Sequence, residues 1–400
     1  MKKNILKKIW RRLIRHQQNS TEFIIKHYFF FIYIYKKKSL TNLPSNDILF
    51  FCYTPTFAQA RISSELIKNG VNVIMMYVEN PNYSLSSYFS GTIRVKNQYH
   101  AFLNLPSYKF LHCFSSSIDQ ITSFLLKNAI NTIYHPTDVL INAKHQNPAL
   151  QNAQFEAFED ADRISYRDLT SLDIKTLRPL IKHKKSIFFP EYVTSTPSTQ
   201  KLDGLHIVST GNLQTGNSDN GDELFSFVNK VVSRGIYFHI YPFWGWAQRS
   251  KTDFLDHHSR YRDLSKQYPN LIIHSVVNPD QLIHEISKYH FGIMIIPEFE
   301  LKYCSIESYY TLNWLSKVTS SRITDYMEAG LITITNWSTK KDLCYRIPNR
   351  YSQCLNYRDV IDADDPVTFL YQTINTHKKS ELNGYSISKN IKRLITFYNS

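Results

Sequence analysis

The feature that most constrains the fold is a repeated alternation of short apolar runs and amphipathic segments from residue 47 onward. The first cycle reads "DILFFCYT", "FAQARISSELIKNG" and "VNVIMMYV", which predicts a strand, a helix and a strand. The same order returns after residue 204 with "LHIVST", "ELFSFVNKVVSRG" and "IYFHIYP". Alternating strands and helices build parallel sheets that are covered on both faces. We therefore predict an α/β fold of two Rossmann-like parallel-sheet domains that face a central cleft.

Other segments extend the two halves. In "SIDQITSFLLKNA" we expect a helix capped by Ser117, and "NPALQNAQFEAFEDADRIS" reads as one acidic helix. "NLIIHSVV" and "LITIT" are predicted strands of the second half. The final helix, "SISKNIKRLITFYNS", is long enough to pack back across the first half.

Composition changes mark the domain boundaries. The span 191–204 is polar and rich in turn-forming residues, so we predict a linker there. It separates a first domain over 47–190 from a second over 205–380, and the C-terminal helix over 385–400 follows. A basic amphipathic segment over 1–40 precedes them.

Most of the net positive charge lies in the N-terminal segment. Residues 1–38 hold eleven of the 47 Lys and Arg residues but one of the 33 acidic residues, in a chain of net charge +14. In "MKKNILKKIWRRLIRHQQNS" apolar side chains fill one half of a helical wheel and basic side chains the other. Such a helix is typical of anionic membrane surfaces. We predict that residues 1–38 bind one, which would make the protein cytoplasmic and peripheral on the cytoplasmic face of the membrane.

Alternatives to membrane binding stay open for this segment. Its second apolar stretch, "FIIKHYFFFIYIYKKK", is too short to cross a bilayer, and no signal-peptide cleavage site follows it. The helices can instead pack on the body of the protein or on a partner subunit. Nucleic acid is the partner least expected, because the rest of the chain is nearly balanced in charge.

Cysteine usage and short motifs exclude several classes of protein. The five cysteines are scattered and contain no C-x-x-C pair, which predicts reduced thiols and neither a disulfide framework nor structural zinc. The chain contains no G-x-G-x-x-G, G-x-x-x-x-G-K-[ST], H-E-x-x-H or G-x-S-x-G motif. Dinucleotide oxidoreductases, P-loop phosphotransferases and the usual hydrolase sites are therefore poorly supported.

The segment "TSSRITDYMEAGLITIT" carries the most specific chemistry. Ser320 and Ser321 are good helix-capping residues, and the N–H groups of a helix N-terminus attract anions. Arg322 adds a fixed positive charge for phosphate oxygens, and Asp325, one turn later, can accept hydrogen bonds from sugar hydroxyls. The order of phosphate and then hydroxyl recognition fits a sugar nucleotide. An Arg–Asp pair on a solvated helix is the alternative.

This segment resembles the donor site of glycosyltransferases with the GT-B architecture of two Rossmann-like domains. Arg322 falls at the family's basic position, Asp325 at its acidic position, which a Tyr follows, and Ala329 and Gly330 at the turn before a buried strand. "EAFEDADRISYRDL", "SIFFPEYV", "LHIVSTGNLQ" and "NPDQLIHEISKYHFGIMII" are also similar to family segments, in the family's order. The resemblance covers roughly residues 47–345.

The chain also departs from the family pattern. Many retaining members carry E-x7-E, but Lys317 stands at the first of these two positions. The proline usual after the turn glycine is Ile332. Whether the sugar's configuration is retained or inverted therefore stays open.

The resemblance implies further donor contacts at the ends of second-domain strands. Gly211 would let backbone N–H groups approach the diphosphate or the reacting centre, although it can also be a simple turn glycine. Glu298 would reach the donor sugar, unless it forms a solvated loop pair with Glu300.

If the enzyme inverts the configuration of the sugar, the first domain would supply the catalytic base. The same domain would supply the acceptor contacts. Asp138 and His135 follow a predicted strand, and either can take a proton from an acceptor hydroxyl. A buried histidine and a turn-capping aspartate are the alternatives. Thr56, Gln59 and Arg61 follow the first strand and are candidate acceptor contacts, although such residues are also common in turns and on helix surfaces.

We therefore predict a hexosyltransferase-type glycosyltransferase of polysaccharide biosynthesis. It would move sugar from a nucleotide-sugar donor to a glycan or lipid-linked acceptor at the inner membrane surface. A nucleotide-sugar epimerase of the same fold and a non-catalytic nucleotide-sugar or polysaccharide binder are the alternatives. Because GT-B enzymes generally need no ion, the resemblance implies neither a metal nor another cofactor.

Overall fold

A computed structural model describes most of the chain after residue 46. The described residues are 47–81, 83–115, 119–137, 148–167, 177–194, 199–211, 223–242, 259–295, 321–336, 354–377 and 382–400. Residues 47–105 and 109–400 form one compact unit. The predicted membrane-binding segment, residues 1–38, lies outside the described residues.

The first sheet is parallel throughout its described strands, in the order β3-β2-β1-β4-β5-β6-β7. Its strands are β1 (Ile48–Cys52), β2 (Val73–Tyr77), β3 (Gly91–Arg94), β4 (Phe110–Ser115), β5 (Thr132–Pro136), β6 (Arg163–Tyr166) and β7 (Lys185–Phe188). Its helices are α1 (Phe57–Lys68), α2 (Gln98–Leu103), α3 (Gln120–Asn128), α4 (Pro148–Asp160) and α5 (Leu177–His183), with a 3₁₀ turn over Leu85–Ser87. Every residue of β1 is buried, as expected for a central strand covered on both faces.

The second sheet is also parallel, in the order β10-β9-β8-β11-β12-β13. Its strands are β8 (His206–Gly211), β9 (Tyr237–Pro242), β10 (Leu271–Ile273), β11 (Phe291–Met294), β12 (Ile332–Thr335) and β13 (Cys354–Asn356). The helices that follow β8 in the chain are α6 (Glu223–Val232), α7 (Ser259–Gln267), α8 (Pro279–Ile286), α9 (Ser321–Glu328), α10 (Tyr357–Ile361) and α11 (Pro366–Thr376). The strand order reverses between β8 and β11, the kind of crossover beside which open α/β sheets bind ligands.

The C-terminal helix α12 (Ile387–Asn399) returns to the first sheet after a 3₁₀ turn over Leu382–Tyr385. Ile391 and Leu394 on its apolar face lie in the first core. Tyr398 shares a 2.8 Å hydrogen bond with Nδ1 of the buried His112, and Arg393 donates to the hydroxyl of Tyr192 over 2.9 Å. The apolar face of α12 is thus buried on the first domain.

Helix α9 lies at the junction of the two cores. Ile323 and Met327, four residues apart and hence on one face, belong to the first core. Tyr326 and Ala329 pack in a cluster of the second domain with Val208. The two domains therefore share this helix, which carries the predicted donor residues.

Three local predictions are corrected. Ser117 lies outside the described residues, and α3 begins at Gln120 with Asp119 as its cap: the carboxylate accepts from the N–H of Thr122 over 2.8 Å. The acidic helix ends at Asp160, because the residues after it pair as strand β6. The strand predicted over "NLIIHSVV" is confined to β10, since this edge strand pairs with only three residues of β9.

Among the helices of the described ranges, none is both long and apolar enough to span a bilayer.

Candidate functional site

The candidate site is centred on the carboxyl end of β8, where Gly211 lies against Arg322 of α9. Gly211 has a φ of +88°, a conformation that favours glycine. A Cβ atom on Gly211 would lie 2.8 Å from Nη2 of Arg322. The structure thus brings these two predicted donor residues together and shows why the position excludes a side chain.

The N-terminus of α9 is held by the segment that follows the first sheet. Ser321, the first residue of the helix, donates to Oε1 of Glu191 over 2.8 Å. The same oxygen accepts from Nη1 of Arg167 over 2.9 Å. Ser320 and Glu298, the other predicted donor residues, lie outside the described residues. The described contacts fix the start of the helix beside Arg322.

Asp325, one turn into α9, is paired across the two domains. Nη2 of Arg61, on α1, lies 2.7 Å from Oδ1 of Asp325, and Nε of Arg61 lies 3.2 Å from Oε2 of Glu328. The Arg61 side chain is 5% exposed, and that of Asp325 is 22% exposed. Arg61 was predicted as an acceptor contact, and the structure places its guanidinium on these carboxylates instead.

Burial and the neighbouring charges shift the pKa values of Asp325 and Arg61. Burial raises the pKa of Asp325 to about 6, against the opposing effect of Arg61 and with help from Glu191 and Glu328. Burial alone would lower the pKa of Arg61, but Asp325 and Glu328 raise it above its usual value. Asp325 therefore depends on Arg61 for its charge at mildly acidic pH.

The carboxyl end of α9 is fixed as well. Glu328 is 4% exposed and accepts a short hydrogen bond from the Thr194 hydroxyl, together with a 3.2 Å bond from the Thr194 N–H. The Tyr326 hydroxyl donates to the carbonyl of Ile293 over 2.9 Å and accepts from the N–H of Thr210 over 3.1 Å. These bonds tie α9 to the segment after the first sheet and to two strands of the second.

Thr56 and Gln59 serve the start of α1. The side-chain carbonyl of Gln59 accepts from both the N–H and the hydroxyl of Thr56, each over 2.7 Å. Gln59 is buried and Thr56 is exposed. Their role as acceptor contacts stays a prediction, and the observed bonds alone already account for a Thr and a Gln three residues apart.

His135 lies at the carboxyl end of β5 and is buried. Its Nδ1 shares a 2.9 Å hydrogen bond with the hydroxyl of Ser165, and its ring packs against Phe114. Burial lowers the pKa of His135 to about 3, and the nearby charge of Arg167 acts in the same direction. A buried imidazole of such low basicity is a poor general base. The catalytic roles of His135 and Asp138 stay predictions, and Asp138 lies outside the described residues.

Sequence reasoning did not find several residues that position the site. Arg167, Glu191, Thr194 and Glu328 act through partners far away in the chain, so no local pattern marks them. Tyr326 had a signal, because a Tyr follows the acidic position in the resembled segment. Within the described ranges, no group of three or more His, Cys, Asp or Glu side chains is arranged to hold a metal ion.

Comparisons with known proteins bear on the fold. No protein-family model matches the chain, and no curated protein matches its sequence. A glycosyltransferase structure from Rickettsia africae matches with a TM-score of 0.52 and 10% identity, over 89% of this chain and 98% of that one. The pneumococcal O-GlcNAc transferase GtfA, solved with UDP and GlcNAc, gives 0.52 and 10%, over 89% and 99%. HepE of Anabaena, solved with UDP and glucose, gives 0.57 and 8%, over 87% and 98%.

The chain has the GT-B fold. At these identities the likeness to the three structures concerns fold alone. Within this GT-B chain, the site combines a guanidinium, a helix N-terminus and a strand-end glycine in the second domain with a carboxylate one helical turn away. The first three groups suit an anion, and the carboxylate suits a hydroxyl donor.

Proposed function

We propose that this chain is a glycosyltransferase that moves a sugar from a nucleotide-sugar donor to a glycan or lipid-linked acceptor at the inner membrane surface. The observation that carries the proposal is the contact between Arg322 and Gly211 at the end of β8. In the GT-B fold, this contact puts a positive charge beside the half-buried backbone of a strand end, next to a helix N-terminus. A diphosphate is the ligand that such an arrangement fits best.

UDP is the nucleotide that we propose first. GtfA and HepE, which share the fold, were solved with UDP. The diphosphate would lie against Gly211 and Arg322, and a hydroxyl of the ribose or sugar would donate to Asp325. The 22% exposure of Asp325 leaves part of its carboxylate open to such a contact.

The chemistry follows from where charge develops. As the glycosidic bond to the diphosphate breaks, negative charge grows on the leaving oxygen, and Arg322 and the N–H groups of α9 would stabilise it. If the reaction inverts the configuration of the sugar, the acceptor hydroxyl loses its proton to a base from the first domain, for which we propose Asp138. Neither role requires a metal ion.

The acceptor class rests on the basic N-terminal segment. An amphipathic helix with Lys and Arg on one face would hold the enzyme at an anionic surface, where lipid-linked acceptors are concentrated. This part of the proposal is independent of the donor site.

A donor panel tests the proposal. The full-length protein is incubated with UDP-sugars, with and without a lipid-linked glycan fraction, and both UDP release and sugar incorporation are measured. We expect one donor to yield UDP together with labelled acceptor. Conversion of a donor to its epimer without an acceptor, or tight binding without turnover, would contradict transferase activity.

A further inference from the structure

Arg61 belongs to the first domain by sequence but contacts the second domain through its side chain. It lies on α1, directly after the first strand of the first sheet. Its guanidinium is buried, and both of its described ion-pair partners, Asp325 and Glu328, lie on α9. To reach an acceptor, the Arg61 guanidinium would have to leave both Asp325 and the buried Glu328, which is costly.

The ion pair with Arg61 uses only one of the two carboxylate oxygens of Asp325. Arg61 binds Oδ1 of Asp325 over 2.7 Å, and the Asp325 side chain retains 22% of its exposure. A bidentate guanidinium would occupy both oxygens, but here Nε of Arg61 is turned towards Glu328. The geometry therefore fixes the orientation of the carboxylate and still leaves it able to accept a hydrogen bond from a ligand.

We propose that Arg61 is a positioning residue of the donor site, supplied by the first domain, which orients Asp325 towards a ribose hydroxyl of the bound nucleotide. The inference rests on the proposed function and deepens it. Its consequence is that the donor site is complete only when α1 and α9 are in contact, so nucleotide binding also stabilises the contact between the domains.

The charges around Asp325 give this role a pH signature. Arg61 faces Asp325 from α1, Glu191 from the segment after the first sheet, and Glu328 from α9 itself. Burial raises the pKa of Asp325 to about 6, and Arg61 is the group that opposes the rise. Without Arg61 the pKa of Asp325 rises further, so nucleotide binding would require a higher pH.

The test uses two variants matched in local charge. Arg61→Met alone takes the cation away from Asp325 and from the buried Glu328 and risks misfolding. It is therefore combined with Glu328→Gln, which keeps the summed charge of Arg61, Asp325 and Glu328 unchanged. Arg61→Lys keeps the positive charge but loses the planar geometry. Arg178→Met, at an exposed position of α5, is the control. Thermal melts confirm folding before binding is measured.

The readout is the dissociation constant for UDP, measured by calorimetry from about pH 5.5 to about pH 8.5. At about pH 6.5 we expect Arg61→Met/Glu328→Gln to bind UDP about tenfold more weakly than wild type. The acid limb, meaning the fall in UDP affinity as the pH decreases, should begin at a higher pH in this variant. Arg61→Lys should show the same acid limb of UDP affinity as wild type, because it keeps the positive charge beside Asp325. At about pH 6.5, adding Asp325→Asn to the double variant should cause little further loss, because Asp325 is then largely protonated in the double variant.

The outcomes separate this inference from the proposed function. If wild type binds UDP and the double variant binds it equally well with the same pH profile, Arg61 does not position the donor site and only this inference fails. If wild type binds no nucleoside diphosphate, the proposed function fails and this inference fails with it. A uniform loss of affinity without a shift of the acid limb would also overturn the positioning role.

Discussion

The ring of Tyr326 lies directly over the backbone of Gly292, where a Cβ atom would be 2.3 Å from the tyrosine Cγ. From there the Tyr326 hydroxyl reaches Ile293 and Thr210, the strand residues that flank the site. The glycine therefore sets how close α9 lies to the second sheet, and through it the position of Arg322.

Gly292→Ala should displace Tyr326 and loosen α9. Because the new methyl group meets a fully buried ring, we expect a loss of about 1–3 kcal/mol in the free energy of unfolding, together with weaker UDP binding. Urea denaturation and calorimetry measure the two effects. The control is Gly91→Ala on β3, where the nearest side-chain atom is 3.8 Å from the added Cβ. If both variants are as stable as wild type, Tyr326 is not held in this way.

Gly211→Ala should impair nucleotide binding more than stability. Gly211 and Gly235 both have positive φ, +88° and +79°, so alanine strains either backbone by about 1 kcal/mol. Only at Gly211 does the Cβ meet another residue, the Arg322 guanidinium; nothing lies within 4 Å of the Cβ at Gly235. We expect similar melting temperatures for the two variants but reduced UDP affinity in Gly211→Ala alone. Equal UDP affinities of Gly211→Ala and Gly235→Ala would show that Gly211 is not part of the nucleotide site.

The buried His239 of the second sheet should make stability depend on pH. Nδ1 of His206 pairs with Nε2 of His239, and Nδ1 of His239 with Nε2 of His274, each over 2.9 Å. Burial lowers the pKa of His239 to about 3, aided by its neighbours. The unfolded state therefore binds a proton that the folded state does not, and stability is lost as pH falls below about 6.5.

For His239 this loss amounts to about 2 kcal/mol between neutral pH and about pH 5. The slope of the unfolding free energy against pH reports how many protons the chain takes up on unfolding. In His239→Gln this slope should correspond to about one proton fewer over that range. His183→Gln, at an exposed position, should keep the wild-type slope. Identical slopes in the two variants would show that His239 is not buried in its neutral form.

Removal of residues 1–40 should release the protein from membranes. The basic amphipathic segment supplies the proposed attraction to anionic lipid, so the shortened chain should move from the membrane pellet to the supernatant. Binding of UDP should be unchanged, which serves as the control for folding. An unchanged distribution between pellet and supernatant would contradict the membrane proposal.

The sequence predicts the two parallel sheets well, because burial on both faces leaves a strong apolar pattern in the strands. The proximity of Gly211 and Arg322 follows similarly, since strand ends and helix starts meet at one edge of a parallel sheet. The spacing of Thr56 and Gln59 also fits a helix-capping box, a local signal from which their hydrogen bonds are predictable.

The ion pair between Arg61 and Asp325 could not be predicted from the sequence in this way. The two residues are 264 positions apart, and an arginine on a first-domain helix is typical of a solvated surface. The packing of Ile323 and Met327 into the first core helps to bring α9 next to Arg61. The burial of His135 likewise depends on neighbouring strands, so its position at a strand end was predictable but its low basicity was not.

Calorimetric titration of UDP and uridine into wild type and Arg322→Ala tests the central claim most directly, with the exposed Arg178→Ala as control. The account predicts that wild type prefers UDP to uridine and that Arg322→Ala loses about ten- to a hundredfold of that preference, as expected for a lost charge-assisted hydrogen bond. Equal UDP affinity in wild type and Arg322→Ala would contradict it.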